Sequence, residues 1–230
     1  MKKWKDDDEL FSLIKRELFT AVVGDILDKC GYLHQFLPAA IRPLAPQMVI
    51  VGRAMTVLEA DVFEEEAANS ANPVMRKPFG LMFEALDSLQ RNEVYICSGA
   101  SPRYALWGGL MSVRAMYQKA AGAVVNGYSR DTNEVLQLNF PTFSLGGYAQ
   151  DQGPRGKVMD YRSTIEFGGI TVQAGDIIYG DRDGVLVIPR QVEQEVFEGA
   201  IEKVRKESQV RVKLLEGMTT VDAFEKFGVM

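Results

Sequence analysis

The chain is poor in the residues that most often build metal cages and covalent frameworks. It has one histidine, His34, and two cysteines, Cys30 and Cys97, in 230 residues. Structural zinc sites draw their four ligands mainly from those two residue types, so a zinc centre has little support. His34, in "YLHQFLP", reads as a packing or loop residue. Two cysteines outside any CxxC spacing are too few for a disulfide framework, and buried thiols in a reducing compartment are the simpler reading. There is no Gly-x-Ser-x-Gly turn and no Cys/His pair of familiar spacing, which leaves a serine or cysteine hydrolase without a basis.

Other absences narrow the class further. The net charge of −5 is spread along the chain with no basic block, which argues against a nucleic-acid partner. No apolar run reaches the roughly 18 residues of a membrane span. The opening "MKKWKDDDELF" turns acidic at once and does not resemble a leader. A soluble, cytoplasmic protein is the expectation. No repeat, low-complexity tract or linker divides the chain. It reads as a single domain over 1–230, with a core at about 20–188 and C-terminal helices at about 190–228.

What is present is an ordinary globular mixture, 47% hydrophobic and 25% charged, able to bury a substantial core. Apolar residues at helical spacing over 8–30 predict helices that stop at Gly31. "MVIVGRAMTVLEA" (48–60) predicts a strand, and "NSANPVMRKPFG" (69–80) a loop long enough to suggest a binding role. The segments that follow alternate: strand 93–99, a loop becoming a helix over 102–121, strand 122–127, helix "DTNEVLQL", strand "PTFSLG". That rhythm predicts a parallel core sheet with right-handed crossovers. From 164 the pattern alternates residue by residue, and Asp183-Gly184 between apolar runs signals a hairpin. After Pro189 a long charged helix is expected, then a short one from Thr219/Thr220 to Gly228.

The adjacent pair Arg130-Asp131, just past the strand "GAVVNG", is the chemical feature that stands out. In open parallel sheets ligands settle beyond the carboxyl ends of strands. Arg130 offers a planar donor fork suited to carboxylates, and Asp131 a hard oxygen ligand suited to magnesium, which keeps several waters and needs only one or two carboxylates. From these residues alone the simpler reading is that Asp131 is the N-cap of the next helix and Arg130 half of a surface ion pair; Asp131 can also do both jobs. "WGGLM" (107–111) opens another helix whose free first-turn amides, after a glycine pair, could hold a carboxylate. Arg155, in the glycine-rich "GGYAQDQGPRG" (146–156), reads as an ordinary loop residue.

Taken together, "ALWGGL", "AAGAVVNGYSRDTNEV", "FPTFSLG" and "GDIIYGDRDGVLVIP" resemble, in order and spacing, the RraA-like family. It comprises 4-hydroxy-4-methyl-2-oxoglutarate aldolases, related oxaloacetate decarboxylases, and RraA inhibitors of ribonuclease E. The resemblance runs from about Thr20 to Ile188. It implies a three-layer β/β/α swivelling-domain fold of the α/β class with a C-terminal helical extension, assembled as homotrimers or homohexamers with sites at subunit boundaries. It further implies that Arg130 binds the substrate and acts in catalysis, and that Asp131 holds a divalent metal, Mg²⁺ or Mn²⁺. Gly108, Gly109, Leu110 and Met111 would then bind the carboxylate of a small 2-oxo acid.

The implied chemistry is cleavage or decarboxylation through pyruvate enolate, with no Schiff-base lysine. One departure bears on it: the aldolases carry an acid after Trp-Gly that serves proton transfer, whereas this chain has Gly109. "SGAS" (98–101) also lacks the acidic and extra glycine residues expected there, which suggests a substrate other than the usual ones. Glu207, reaching from a neighbouring subunit, is a candidate replacement acid. The alternative function is a non-catalytic regulator that docks on a protein. The RraA inhibitors lack the metal-binding aspartate and have a shorter C-terminus, whereas this chain keeps Asp131 and the long C-terminal helix, which favours the enzyme. The methyltransferase label that family members often bear would call for a glycine-rich cofactor loop after the first strand, and the sequence shows none.

Overall fold

The computed structural model describes residues 4–62 and 67–229. The chain forms two compact units. One gathers the residues up to Leu33 and from Gln191 onward; the other runs from His34 to Arg190.

The first unit is helical. The predicted helical stretch over 8–30 is two helices, Asp7–Glu17 and Thr20–Lys29, separated by extended backbone at Leu18 and Phe19. Asp6 caps the first by accepting from the Glu9 amide, and Gly31 takes φ +83° just beyond the second. The long helix Glu193–Leu215 buries Val196, Phe197, Ala200 and Ile201. Gly199 on that helix gives close approach to Ile26, and Lys203 pairs with Asp25. The last helix, Thr220–Phe227, has the expected Thr219 cap and Gly228 stop at φ +67°.

The second unit contains the strands β1 (Arg42–Pro43), β2 (Ile50–Asp61), β3 (Glu93–Ser98), β4 (Ala105–Trp107), β5 (Gly122–Val125) and β6 (Tyr128–Ser129). They continue as β7 (Thr142–Ser144), β8 (Gly156–Tyr161), β9 (Ile165–Phe167), β10 (Ile170–Val172), β11 (Ile177–Asp181) and β12 (Gly184–Ile188). The main sheet runs β1-β7-β5-β3-β2-β11-β12, with β8 also paired to β2. Its centre, β2-β3-β5-β7, is parallel as the rhythm predicted. Antiparallel strands flank it, so the sheet is mixed.

Alternation along the buried strands builds two cores, because successive side chains leave opposite faces. Val94, Ile96 and Val124 join Ile165, Phe167, Ile170 and Val172 of the β9-β10 ribbon on one face. Tyr95, Cys97, Ala123 and Val125 join Met82, Ala85, Leu86 and Ala115 of the helices on the other. The result is ribbon, sheet and helices in three layers.

Four details differ from the sequence reading. The 69–80 segment includes a helical turn, Pro73–Arg76, capped by Asn72. Strand β4 occupies the start of 102–121, which reads as loop. Strand β8 begins inside the glycine-rich segment, where no periodicity marks it. In the β11-β12 hairpin, Asp181 pairs with Gly184, so Arg182 and Asp183 form the loop rather than Asp183-Gly184. The Asp183 amide donates to Asp181 Oδ1 at 2.8 Å and holds the turn.

Candidate functional site

Two short strands bring the predicted residues together. β4 and β6 pair in parallel, with Trp107 opposite Ser129, and the Arg130 amide donates to the Trp107 carbonyl at 2.9 Å. The next residues on each chain, Gly108-Gly109 and Arg130-Asp131, therefore emerge side by side. Trp107, 1% exposed, fixes the turn. Its ring lies 5.0 Å from that of Tyr95 and 5.8 Å from that of Phe140. Its indole N–H donates to Ser112 Oγ at 2.8 Å, and that hydroxyl donates to the Gly108 carbonyl at 3.0 Å.

Asp131 stands at the N-cap position of the helix Thr132–Gln137, yet its side chain makes no capping bond there. One oxygen instead accepts from the Gly109 amide at 3.2 Å, at the start of the neighbouring helix Gly109–Tyr117. Asp131 also takes φ +54°, ψ +37°, the left-handed region, which costs an L-residue about 1–2 kcal/mol. The expected cap geometry is thus replaced by one that turns the carboxylate toward Gly109.

Arg130 is held between two carboxylates. Its Nη1 donates to Asp151 Oδ1 at 2.5 Å, and its Nε lies 3.6 Å from Asp131 Oδ2. Asp151 is a site residue that spacing could not reveal, since only the β4-β6 closure brings it to Arg130. Leu110 and Met111, in the first turn of the helix at Gly109, have amides without an acceptor among the described residues. Arg130, Asp131, Gly108, Leu110 and Met111 line one cavity of about 500 Å³. Its opposite wall is apolar, with Phe79, Met82, Phe83 and Leu86. Arg114, also in the wall, is paired with Asp87 at 2.7 Å.

Behind the cavity lies a second residue absent from the sequence reading. Glu59 is 1% exposed and accepts from Gln152 Nε2 at 2.9 Å, while its Oε1 has no partner among the described residues. Burial pushes its carboxyl up to about 8, against the donated Gln152 bond, which pulls it down. Gln152 lines the cavity next to Asp151, so this buried acid, through Gln152, anchors the loop that engages Arg130.

Gly109 is buried, and Glu134, one turn along the helix that Asp131 starts, fills its missing side-chain space. A β-carbon on residue 109 would collide with the Glu134 carboxylate. Glu207 is on the helix Glu193–Leu215 of the first unit, 3.6 Å from Lys203. Among the described residues no three His, Cys, Asp or Glu side chains cluster as a metal cage. No described helix is long and apolar enough to cross a membrane.

A family profile described as "RraA-like: Aldolase/RraA" matches residues 20–187. Protein DlpA of Legionella pneumophila is 28% identical over 210 residues, covering 90% of this chain but 32% of DlpA; the chain thus spans about a third of that relative's length. A protein of Halalkalibacterium halodurans bearing the name "Putative 4-hydroxy-4-methyl-2-oxoglutarate aldolase" is 30% identical over 188 residues, 82% of this chain and 80% of that one. The crystal structure of Streptomyces coelicolor RraAS2, described as an unusual member of the RNase ES inhibitor RraA protein family, superposes with a TM-score of 0.75. It is 21% identical and covers 90% of this chain and 98% of its own, a likeness of fold.

Proposed function

We propose that this chain, which belongs to the RraA-like aldolase family, is a divalent-metal-dependent lyase acting on a small 2-oxo acid. The reaction is cleavage of a 4-hydroxy-2-oxo acid, decarboxylation of oxaloacetate, or both, with pyruvate enolate as the common product fragment. The fold is that of the family, three-layer β/β/α with a C-terminal helical extension.

The observation that carries this reading is the turning of Asp131 away from its own helix toward Gly109, beside Arg130, at the mouth of a cavity. The donor set fits a hard cation: one carboxylate facing a cavity suits Mg²⁺ or Mn²⁺, which retain water in their remaining positions. Such a metal, when bound, supplies Lewis acidity toward the keto oxygen of the substrate.

The rest falls to the chain itself. The Leu110 and Met111 amides, at the positive end of the helix dipole, receive the substrate carboxylate. Arg130 places fixed positive charge where negative charge develops on the keto oxygen, and Asp151 sets the orientation of its guanidinium. The Phe79–Leu86 wall excludes water from that charge. Assembly as a homotrimer or homohexamer, with Glu207 contributed across a subunit boundary, belongs to the same proposal. Location in the cytoplasm does too.

A binding experiment tests the site. Mn²⁺ with oxalate, which mimics the enolate of pyruvate, stabilises the wild type by about 2.7 kcal/mol at a hundred times the dissociation constant. Asp131→Asn, a residue that tolerates the left-handed backbone, removes the response to Mn²⁺. Arg130→Ala keeps the Mn²⁺ response and loses the extra shift from oxalate. An unchanged Mn²⁺ shift in Asp131→Asn overturns the metal assignment. The alternative of a non-catalytic regulator expects no metal response in the wild type, and the retained Asp131 favours the lyase over it.

A further inference from the structure

The carboxylates in or beside the cavity wall differ in their freedom to move a proton. Asp151 is held by Arg130 at 2.5 Å and Asp87 by Arg114 at 2.7 Å. Asp131 accepts from the Gly109 amide and is the proposed metal seat. Glu59 is closed off behind Gln152. Glu134 alone in this set is exposed with no ion pair or hydrogen bond to its carboxylate among the described residues.

Its position is specific. The carboxylate stands at the Gly109 peptide, in the space that any side chain on residue 109 would claim, and the amide of that same peptide is the one Asp131 accepts. Residues 109 and 134 therefore compete for one volume. Gly109 is buried, so its lack of a side chain leaves no void: the acid from the other helix fills it. The first turn of the helix Gly109–Tyr117 is the positive end of that helix and favours an anion there.

We propose that Glu134 is the proton-transfer residue of this site and that glycine at 109 is what admits its carboxylate. The inference rests on the lyase reading above. In aldol cleavage the 4-hydroxyl proton passes to the Glu134 carboxylate, directly or through one water. The O–H electron pair becomes the new carbonyl of the departing fragment, the C3–C4 bond breaks, and its pair remains on the three-carbon fragment as enolate. The proton then returns from Glu134 to C3 and gives pyruvate, so substrate and products balance without a co-reactant. In oxaloacetate decarboxylation there is no hydroxyl proton to remove: CO₂ leaves, the bond's electron pair remains on the three-carbon fragment as enolate, and Glu134 relays one proton from solvent water to C3.

Two measurements test this. The first is geometric and independent of turnover: in a crystal structure the Glu134 carboxylate sits against Gly109, and in Gly109→Ala it is displaced from that space. A wild-type carboxylate found away from Gly109 would overturn the proposal. The second uses Mn²⁺-loaded enzyme. Glu134→Gln keeps the Mn²⁺ shift and the KM, and lowers kcat for aldol cleavage by about 10²- to 10⁴-fold. It reduces oxaloacetate decarboxylation far less and removes the acidic limb of the pH–rate profile; Glu134→Asp recovers part of the rate. Turnover and pH profile unchanged in Glu134→Gln overturn the role of Glu134 alone. A wild type that binds Mn²⁺ and turns over neither substrate overturns the lyase reading, and the proton-transfer role with it.

Discussion

Asp131 and Glu59 show how single residues divide the labour at this site. Asp131 takes a left-handed backbone that turns its carboxylate toward Gly109; Glu59 accepts from Gln152 and ties down a loop from a buried position that pushes its carboxyl up. The second has a measurable consequence. Below about pH 4.5 Glu59 is protonated in both the folded and unfolded chain. Between 4.5 and about 8 the unfolded chain releases the proton and the folded one keeps it, so stability falls as pH rises through that window. Asp61, Tyr95, Cys97 and Tyr104 are the titratable groups near it, and Asp61 adds to the upward push on its carboxyl. Glu59→Gln, which can still accept from Gln152, is expected to flatten the decline in melting temperature between about pH 5 and pH 8. A variant with the wild-type slope would show that Glu59 is ionised in the folded protein. At this scale Arg130 and Asp131 were legible in sequence because they are adjacent. Asp151, Glu134 and Glu59 were not, because their roles come from contacts that only the closed fold creates.

At the scale of elements, the site depends on a short parallel pair, β4 with β6, too brief to leave a periodic signature. Three apolar residues, Ala105 to Trp107, read as the tail of a loop until the partner is known. The same holds for β8, whose buried half follows a run of glycine and polar residues. By contrast the central strands, with long apolar runs and glycine ends, were evident, as were the capped final helix and the β11-β12 hairpin. The stiffness of the β4 end comes from Trp107 and Ser112. Ser112→Ala leaves the buried indole N–H without its acceptor, at a cost of about 1–3 kcal/mol. The expected outcome is a lower melting temperature together with weaker oxalate binding, since the amides of Leu110 and Met111 follow that turn. A loss of stability with oxalate affinity intact would show that the turn does not position those amides.

At the scale of the whole molecule, the core unit and the family match nearly coincide at their C-terminal ends, Arg190 and residue 187. Composition and the strand–helix rhythm pointed to the sheet, and the order of four motifs pointed to the family. The mixed edges of the sheet were beyond reach because antiparallel strands β8 and β11 pair with β2 across more than 90 residues of chain. The proposed function at this scale is the conversion of a 2-oxo acid. The most direct measurement is pyruvate release from oxaloacetate and from 4-hydroxy-4-methyl-2-oxoglutarate, with Mg²⁺, with EDTA, and with Asp131→Asn, after subtraction of the metal-only background. The account predicts metal-dependent pyruvate release from at least one of them, abolished by EDTA and by Asp131→Asn. Release that persists in EDTA, or no release of pyruvate from either compound by the metal-loaded wild type, would contradict it.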